Sequence, residues 1–283
     1  MLKVYATSWK GAVPAPQGLV PRARRIVRDF TLSTISALRS RHDTRFIRNL
    51  YCHYVFDDQR SKFDQIITEL KQDSTFVDTA TALEMANGTR PIDGRYFHLS
   101  FDDGFRNVYL NAVPILQKHG IPATFYVPSS LVEGDLATTR RFCMETTSYR
   151  QPIEMIRWSE LRHMVKLGFD IGSHTRTHAR FSAISHDVER LRDEIFGSKQ
   201  EIEDKLGCEC PYISWPYGKR RDADPVSLQM TRQAGYTACF GAYRSTIVPG
   251  QIDNFSVPRH HFEVEWPLSH ITYFAEGNRE EAA

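Results

Sequence analysis

The sequence predicts an α/β fold built on a parallel sheet with crossover helices. Two observations carry this. After about residue 50, strand-like and helix-like segments alternate along the chain. Polar residues able to do chemistry also recur at or just past the C-terminal ends of short strands, which is where a β/α barrel collects its active groups.

Taken in order, 50–56 reads as a strand, and 63–71 carries apolar residues at helical spacing. A strand at 95–101 is followed by a helix at 107–119 and a strand at 122–127. The helix 158–167 leads to a strand at 169–172. A long charged helix, 188–206, keeps Ile195 and Ile202 on its inner face. A strand at 212–215, a helix at 225–234, a strand at 236–240 and a last strand at 255–257 complete the pattern. The stretch 131–157 is less regular and reads as a long rim loop that shapes a cleft. No internal repeat or low-complexity run interrupts this order.

At 283 residues, the chain suits one large α/β domain with a modest extension. Residues 1–47 read as a basic N-terminal extension packed on a catalytic domain of residues 48–283. Residues 1–60 hold eleven Lys and Arg against four Asp and Glu, and the remainder is slightly acidic. The segment from Pro21 to Phe30 looks like a basic helix start, with Ile26, Val27 and Phe30 on one face. Packing by that face with solvated arginines is the plainer reading; contact with an anionic membrane surface or a phosphate-bearing substrate is the sharper one. The basic cluster lacks interleaved aromatics, so nucleic acid is not expected as a partner. No run nears the roughly 18 apolar residues of a membrane span, and residues 1–10 lack the apolar stretch of a signal peptide. The expected location is the cytoplasm, with the inner membrane face as a peripheral alternative. Five scattered cysteines argue against a disulfide framework, and the Cys208/Cys210 pair has no partner pair to make a zinc ribbon.

Two motifs carry chemistry. Asp102-Asp103-Gly104 follows one apolar strand, and His174 and His178 follow the end of another. One carboxylate and two imidazoles can hold a divalent metal and leave positions open. A second carboxylate can stay off the metal and take a proton from water. Each motif alone is weak: Asp-Asp-Gly is a common turn, and the histidines could be an exposed polar pair on a helix start. Both following strands makes the metal reading the better one. Tyr217 and Arg259 fall at or just past other strand ends, and His53 near one. His98 lies in the strand before Asp102 and reads as structural.

The chain resembles the polysaccharide deacetylases of the NodB-homology type, carbohydrate esterase family 4, over roughly residues 48–263. The residues that carry this run from Leu99 to Phe105, from Ala112 to Leu116, from Gly120 to Val127, from Ile171 to His178 and from Trp215 to Gly218. The resemblance implies a distorted β/α barrel of about seven units and a bound zinc or similar divalent ion. It implies Asp103, His174 and His178 as metal ligands, Asp102 as general base and the Tyr217 backbone N–H as oxyanion donor. Two departures stand out. An arginine that orients the base is absent from the stretch Ser214-Trp215-Pro216-Tyr217, and Arg259 is the candidate replacement. The late Leu-x-His motif has only Leu268-Ser269-His270 as its match, whereas Tyr51-Cys52-His53-Tyr54 resembles the early segment of a circularly permuted subgroup. His53 is therefore expected as general acid, facing Asp102, with His270 outside the pocket. His53 could instead be a hydrogen-bonded core residue and Arg259 an ordinary ion-pairing arginine.

The implied activity is hydrolysis of an N-acyl group, N-acetyl above all, on an amino sugar of surface glycan metabolism. The sugar is nucleotide-linked, lipid-linked or part of a glycan. Deformylation of a lipid-linked amino sugar and hydrolysis of cyclic ureides keep the fold and change the substrate. A catalytically silent glycan-binding module is the alternative from another class. Retention of both aspartates and both histidines argues against it.

Overall fold

The computed structural model describes residues 4–14 and 45–275. Eight strands form one sheet: β1 Phe46–Cys52, β2 Thr75–Phe76, β3 Arg95–Phe101, β4 Thr124–Val127, β5 Asp170–Ser173, β6 Tyr212–Ser214, β7 Ala238–Phe240 and β8 His260–His261. The path runs β7-β6-β5-β4-β3-β1-β8, with β2 also paired to β3. Every ladder is parallel, as crossover helices require. The result is a curled seven-strand half-barrel with helices outside, the α/β architecture expected. Among the described residues no helix is long and apolar enough to cross a membrane.

One short stretch joins the two edges of the sheet. The Val257 amide donates to the Cys239 carbonyl and the Gly241 amide to the Val257 carbonyl, which bridges to β7. Three residues later β8 pairs with Leu50 and Tyr51 of β1. Pro258 and Arg259 lie between these two attachments.

Strand periodicity of two sorts the side chains. Phe97, Leu99 and Phe101 of β3, Phe125 and Val127 of β4, Ile171 of β5, Ile213 of β6 and Cys239 of β7 join the large outer core. They meet Phe63, Ile66, Ile67 and Leu70 of the helix Arg60–Gln72, and Leu161 and Met164 of the helix Trp158–Lys166. The alternate residues belong to a separate inner cluster, in which Tyr126, Tyr212, Ala238 and Phe240 gather around Leu83 and Val257. Leu83 comes from the helix Thr79–Ala86, capped by Asp78, whose carboxylate accepts from the Thr81 amide at 2.7 Å. His98 is fully buried and lies 3.0 Å from the Thr79 hydroxyl. Burial, followed by the charge of Arg259, holds its pKa down at about 3, so it is neutral and structural.

Several expected elements shift. The first strand is Phe46–Cys52 rather than 50–56, because Arg48 and Asn49 are buried with their apolar neighbours. The Asn49 amide reaches the Pro258 carbonyl at 3.0 Å, a pairing invisible to hydropathy. The last strand is His260–His261; of 255–257 only Val257 makes a bridge. The expected rim loop contains the helix Leu136–Arg141 and a π-helical turn Phe142–Thr146. The expected helix 188–206 is present with a π-helical turn, Asp193–Gly197, in its middle. Ala6 and Ala12, from residues 4–14, pack with Tyr54, Phe56, Phe105 and Phe142. The basic segment from Pro21 to Phe30 lies outside the described residues.

Gly172 of β5 shows how tightly the interior is filled. A Cβ there would lie 2.6 Å from the Tyr126 ring and 3.0 Å from the Tyr212 carbonyl. Tyr126 in turn lies beneath the Arg259 guanidinium, 5.2 Å from ring centre to Cζ. Gly172→Val is expected to cost about 1–3 kcal/mol by overpacking. Urea denaturation measures this, and an unchanged midpoint would show that the interior yields.

Candidate active site

The site is built where strands end. β3 stops at Phe101, but the Asp102 amide still donates to the Cys52 carbonyl of β1 at 3.1 Å. Asp102 therefore keeps the inward alternation of His98 and Ser100. The chain then turns through Asp103 and Gly104 at φ of 70° and 66°. Asp tolerates this left-handed region better than most side chains, and Gly does so freely. Thr175, His178 and Tyr217 also have positive φ, 64°, 65° and 65°. Strained backbone of this kind is held only where its surroundings over-determine it.

Behind the site lies Arg259. It is 0 % exposed, and all five guanidinium N–H groups are used. Nη1 donates to Asp102 Oδ1 at 2.7 Å and to Ser100 Oγ at 3.1 Å. Nη2 donates to Asp102 Oδ2 at 2.7 Å and to Ser214 Oγ at 2.6 Å. Nε donates to the Gly241 carbonyl at 2.8 Å. The Tyr51 ring lies 4.5 Å from Cζ. Burial alone would raise the Asp102 pKa, but the charge of Arg259, followed by that of His174, outweighs it and holds the carboxyl below its ordinary value. Asp102 is thus a buried carboxylate kept ionised.

Asp103 faces two imidazoles. Its Oδ1 lies 3.5 Å from His174 Nε2 and 3.3 Å from His178 Nε2, and all three residues are buried. One ligating atom from each lies within 4.8 Å of the others. His174 Nδ1 is 2.7 Å from the Ser214 carbonyl, so it must donate, which leaves the Nε2 lone pair pointing toward Asp103. Two imidazole nitrogens and a carboxylate oxygen at this spacing need positive charge between them. Burial lowers the His174 pKa, yet Asp102 and Asp103 reverse that and raise it. The donor set fits a divalent ion. The loop that bears the histidines is pinned from behind by Glu194, a buried residue of the π-helical turn. Its carboxylate accepts from the Arg176 amide at 2.9 Å, the Thr177 amide at 2.8 Å and the Thr177 hydroxyl.

These groups open into a cleft of about 240 Å³, in which Asp102, Asp103, His174 and His178 are joined by His53, Tyr149 and Tyr217. His53 is half-buried, with its ring 5.2 Å from that of His261 and 5.5 Å from that of Tyr51. Burial pushes its pKa below the ordinary value against the pull of Asp103. His53, His261 and Glu263 form a second group able to hold a metal ion, but all three are only partly buried. Glu263 also accepts the Tyr54 hydroxyl. The Tyr217 ring is exposed, 5.2 Å from the His178 ring and 4.1 Å from the Arg180 guanidinium. Its backbone sits beside Gly218, where a Cβ would lie 2.0 Å from the Ala242 Cβ.

All seven residues singled out in the sequence therefore meet around Asp102, six lining the cleft and Arg259 behind it. His270 does not line this cleft; it is buried in the helix Leu268–Ala275 and lines a neighbouring hollow. Sequence reasoning missed Glu194, Ser100, Ser214 and Glu263. Only Glu263 carried a local signal, lying two residues after His261.

Known proteins resemble this chain in both sequence and fold. The sequence pattern of the polysaccharide deacetylase family matches residues 89–239. The poly-beta-1,6-N-acetyl-D-glucosamine N-deacetylase of Escherichia coli (strain K12) is 22% identical over 209 residues, 65% of this chain. The chain spans 30% of the length of that relative. In fold it is similar to IcaB from Ammonifex degensii, with a TM-score of 0.67, 23% identity, and coverage of 83% of this chain and 98% of that one. A de-N-acetylase from Aggregatibacter actinomycetemcomitans gives 0.64, 20%, 81% and 99% for the same quantities. With its aspartate pair and its two histidines inside or beside the matched segments, this chain belongs to the polysaccharide deacetylase family.

Proposed function

We propose that the chain is a metal-dependent hydrolase that removes an N-acetyl group from an amino sugar of a surface glycan or its precursor. One observation carries this reading. Asp102 is a buried, ionised carboxylate, bidentate to Arg259, in the same cleft as a three-residue donor set that does not include it. A silent binding module has no use for such a group. The similar E. coli protein, a poly-beta-1,6-N-acetyl-D-glucosamine N-deacetylase, supports the same reading.

Asp103, His174 and His178 would hold the ion, for which zinc is the natural candidate given two imidazoles and one carboxylate. When bound, it supplies positive charge against a developing oxyanion and eases deprotonation of water. The residues of the chain do the rest. Arg259 occupies one side of the Asp102 carboxylate, and each oxygen keeps a further lone pair for the water proton. Asp102 accepts that proton as the water attacks the amide carbonyl. The Tyr217 N–H donates to the oxygen that gains charge. His53 gives a proton to the departing amine; its lowered pKa makes it a readier donor once protonated. Acetate and a free amine leave. Arg259 orients and charges the base but does not touch substrate.

His174→Ala should lose stoichiometric metal by elemental analysis while keeping its circular dichroism spectrum. Retention of one ion per chain in that variant would remove the ligand assignment.

Asp102→Asn should keep the metal and lower the rate by about 100-fold or more. It also leaves the Arg259 charge uncompensated, so its folding must be checked at the assay temperature. Arg259→Met leaves the opposite charge buried and should cost about 3–5 kcal/mol in a denaturation curve. A cost below about 1 kcal/mol would mean that water reaches Asp102.

His53→Ala should lose most activity and keep the metal. His270→Ala, in a buried helix position, should lower stability and leave the turnover of folded protein near normal. The reverse pattern in steady-state rates returns the acid role to the C-terminal segment.

A further inference from the structure

At the edge of the cleft lies a second set of side chains able to hold a metal, of which the proposed reaction uses only His53. His53, His261 and Glu263 each offer one ligand atom within 4.8 Å of the other two. Strand pairing brings them together. His261 of β8 lies opposite Tyr51 of β1, His53 is the residue after β1, and Glu263 follows β8 by two. Glu263 Oε2 accepts the Tyr54 hydroxyl, which fixes the carboxylate and leaves Oε1 toward His261. The Tyr51 and Trp266 rings pack on the His261 ring, with centres 5.0 Å and 5.6 Å away.

The spacing is that of ligands around an ion. His261 Nε2 lies 3.3 Å from Glu263 Oε1, yet it is shut off from water and makes no hydrogen bond. In the first set, His178 Nε2 stands at the same 3.3 Å from Asp103 Oδ1. Two atoms bound to one tetrahedral zinc at about 2.1 Å stand about 3.4 Å apart. Among the described residues no hydrogen bond occupies the His53 ring nitrogens either. We propose that His53, His261 and Glu263 form a second, weaker zinc site, and that an ion bound there inhibits the enzyme. A ligating imidazole is neutral, and the lone pair it gives to zinc cannot carry the proton that His53 passes to the leaving amine. The inhibition rests on reading His53 as the general acid; the site itself does not. Partial burial of all three residues, and a His53 ring that no partner orients, make this the weaker of the two sets. The first equivalent of zinc goes to Asp103, His174 and His178, and the second set fills only in excess.

The test titrates zinc chloride into metal-free protein. Calorimetry should show two equivalents bound, the second more weakly, and gel filtration should remove the second and leave the first. Glu263→Gln and His261→Asn should each bind the first equivalent and lose the second. Hydrolysis of N,N′-diacetylchitobiose by the wild type should fall by about 100-fold or more as the second site fills, since a positioned acid is worth roughly that much. Each variant should hold, in excess zinc, the rate that it has at one equivalent. Stoichiometry decides the site independently of turnover. If the compound is not hydrolysed, yet two equivalents bind and the variants lose one, the deacetylase reading fails and the second site stands. A second equivalent bound with no loss of rate overturns the inhibition and removes His53 from the acid role. A single equivalent in the wild type under excess zinc, or a second that persists in both variants, overturns the site.

Discussion

The pairing of Arg259 with Asp102 is the constraint around which this molecule is arranged. A carboxylate and a guanidinium are both withdrawn from water, at a cost that attraction alone rarely recovers. The fold meets that cost by satisfying every donor of the arginine. The acceptors come from β3, β6 and the residue after β7, while Arg259 itself sits in the stretch that joins β7 to β1. A one-residue slip of that stretch would turn Arg259 out of the interior. The ion pair thus ties the closing of the sheet to the charge state of Asp102, and its contribution is one of register more than of net stability.

The same economy governs the rest of the site. Asp103, Thr175, His178 and Tyr217 adopt backbone conformations that cost energy in isolation. Each is fixed by something behind it. Gly104 packs against Val127, Glu194 holds the histidine loop, and Gly218 lies against Ala242 with a hydrogen bond from the Ala242 amide to its carbonyl. Ligand and donor positions are therefore set before any substrate arrives, which is what a positioned base and a metal site both need.

Much of this was legible in the sequence because motif and strand end coincide. Asp-Asp-Gly after an apolar run, and a histidine pair after another, picked out four side chains that gather in the cleft. The resemblance to the permuted deacetylases pointed to His53, and the arginine missing after β6 pointed to Arg259; His53 lines the cleft and Arg259 is bidentate to Asp102. What stayed hidden depends on partners distant in sequence. Glu194 is far from the amides that it binds and looks like any charge on a helix. Arg48 and Asn49 made β1 look too polar to be a buried strand, because the acceptor for Asn49 lies at Pro258. The strand at 260–261 is two histidines, which no hydropathy pattern marks. The helix of His270 was masked by the short distance to the chain end, where order depends on docking.

What the cleft can do depends on where positive charge sits among Asp103, His174 and His178. A crystal structure of the zinc-loaded protein addresses that most directly. The account predicts one ion bound by Asp103, His174 and His178 at about 2.0–2.2 Å, with Asp102 off the metal and still bidentate to Arg259. An ion ligated by Asp102, or one held instead by His53, His261 and Glu263, would contradict it.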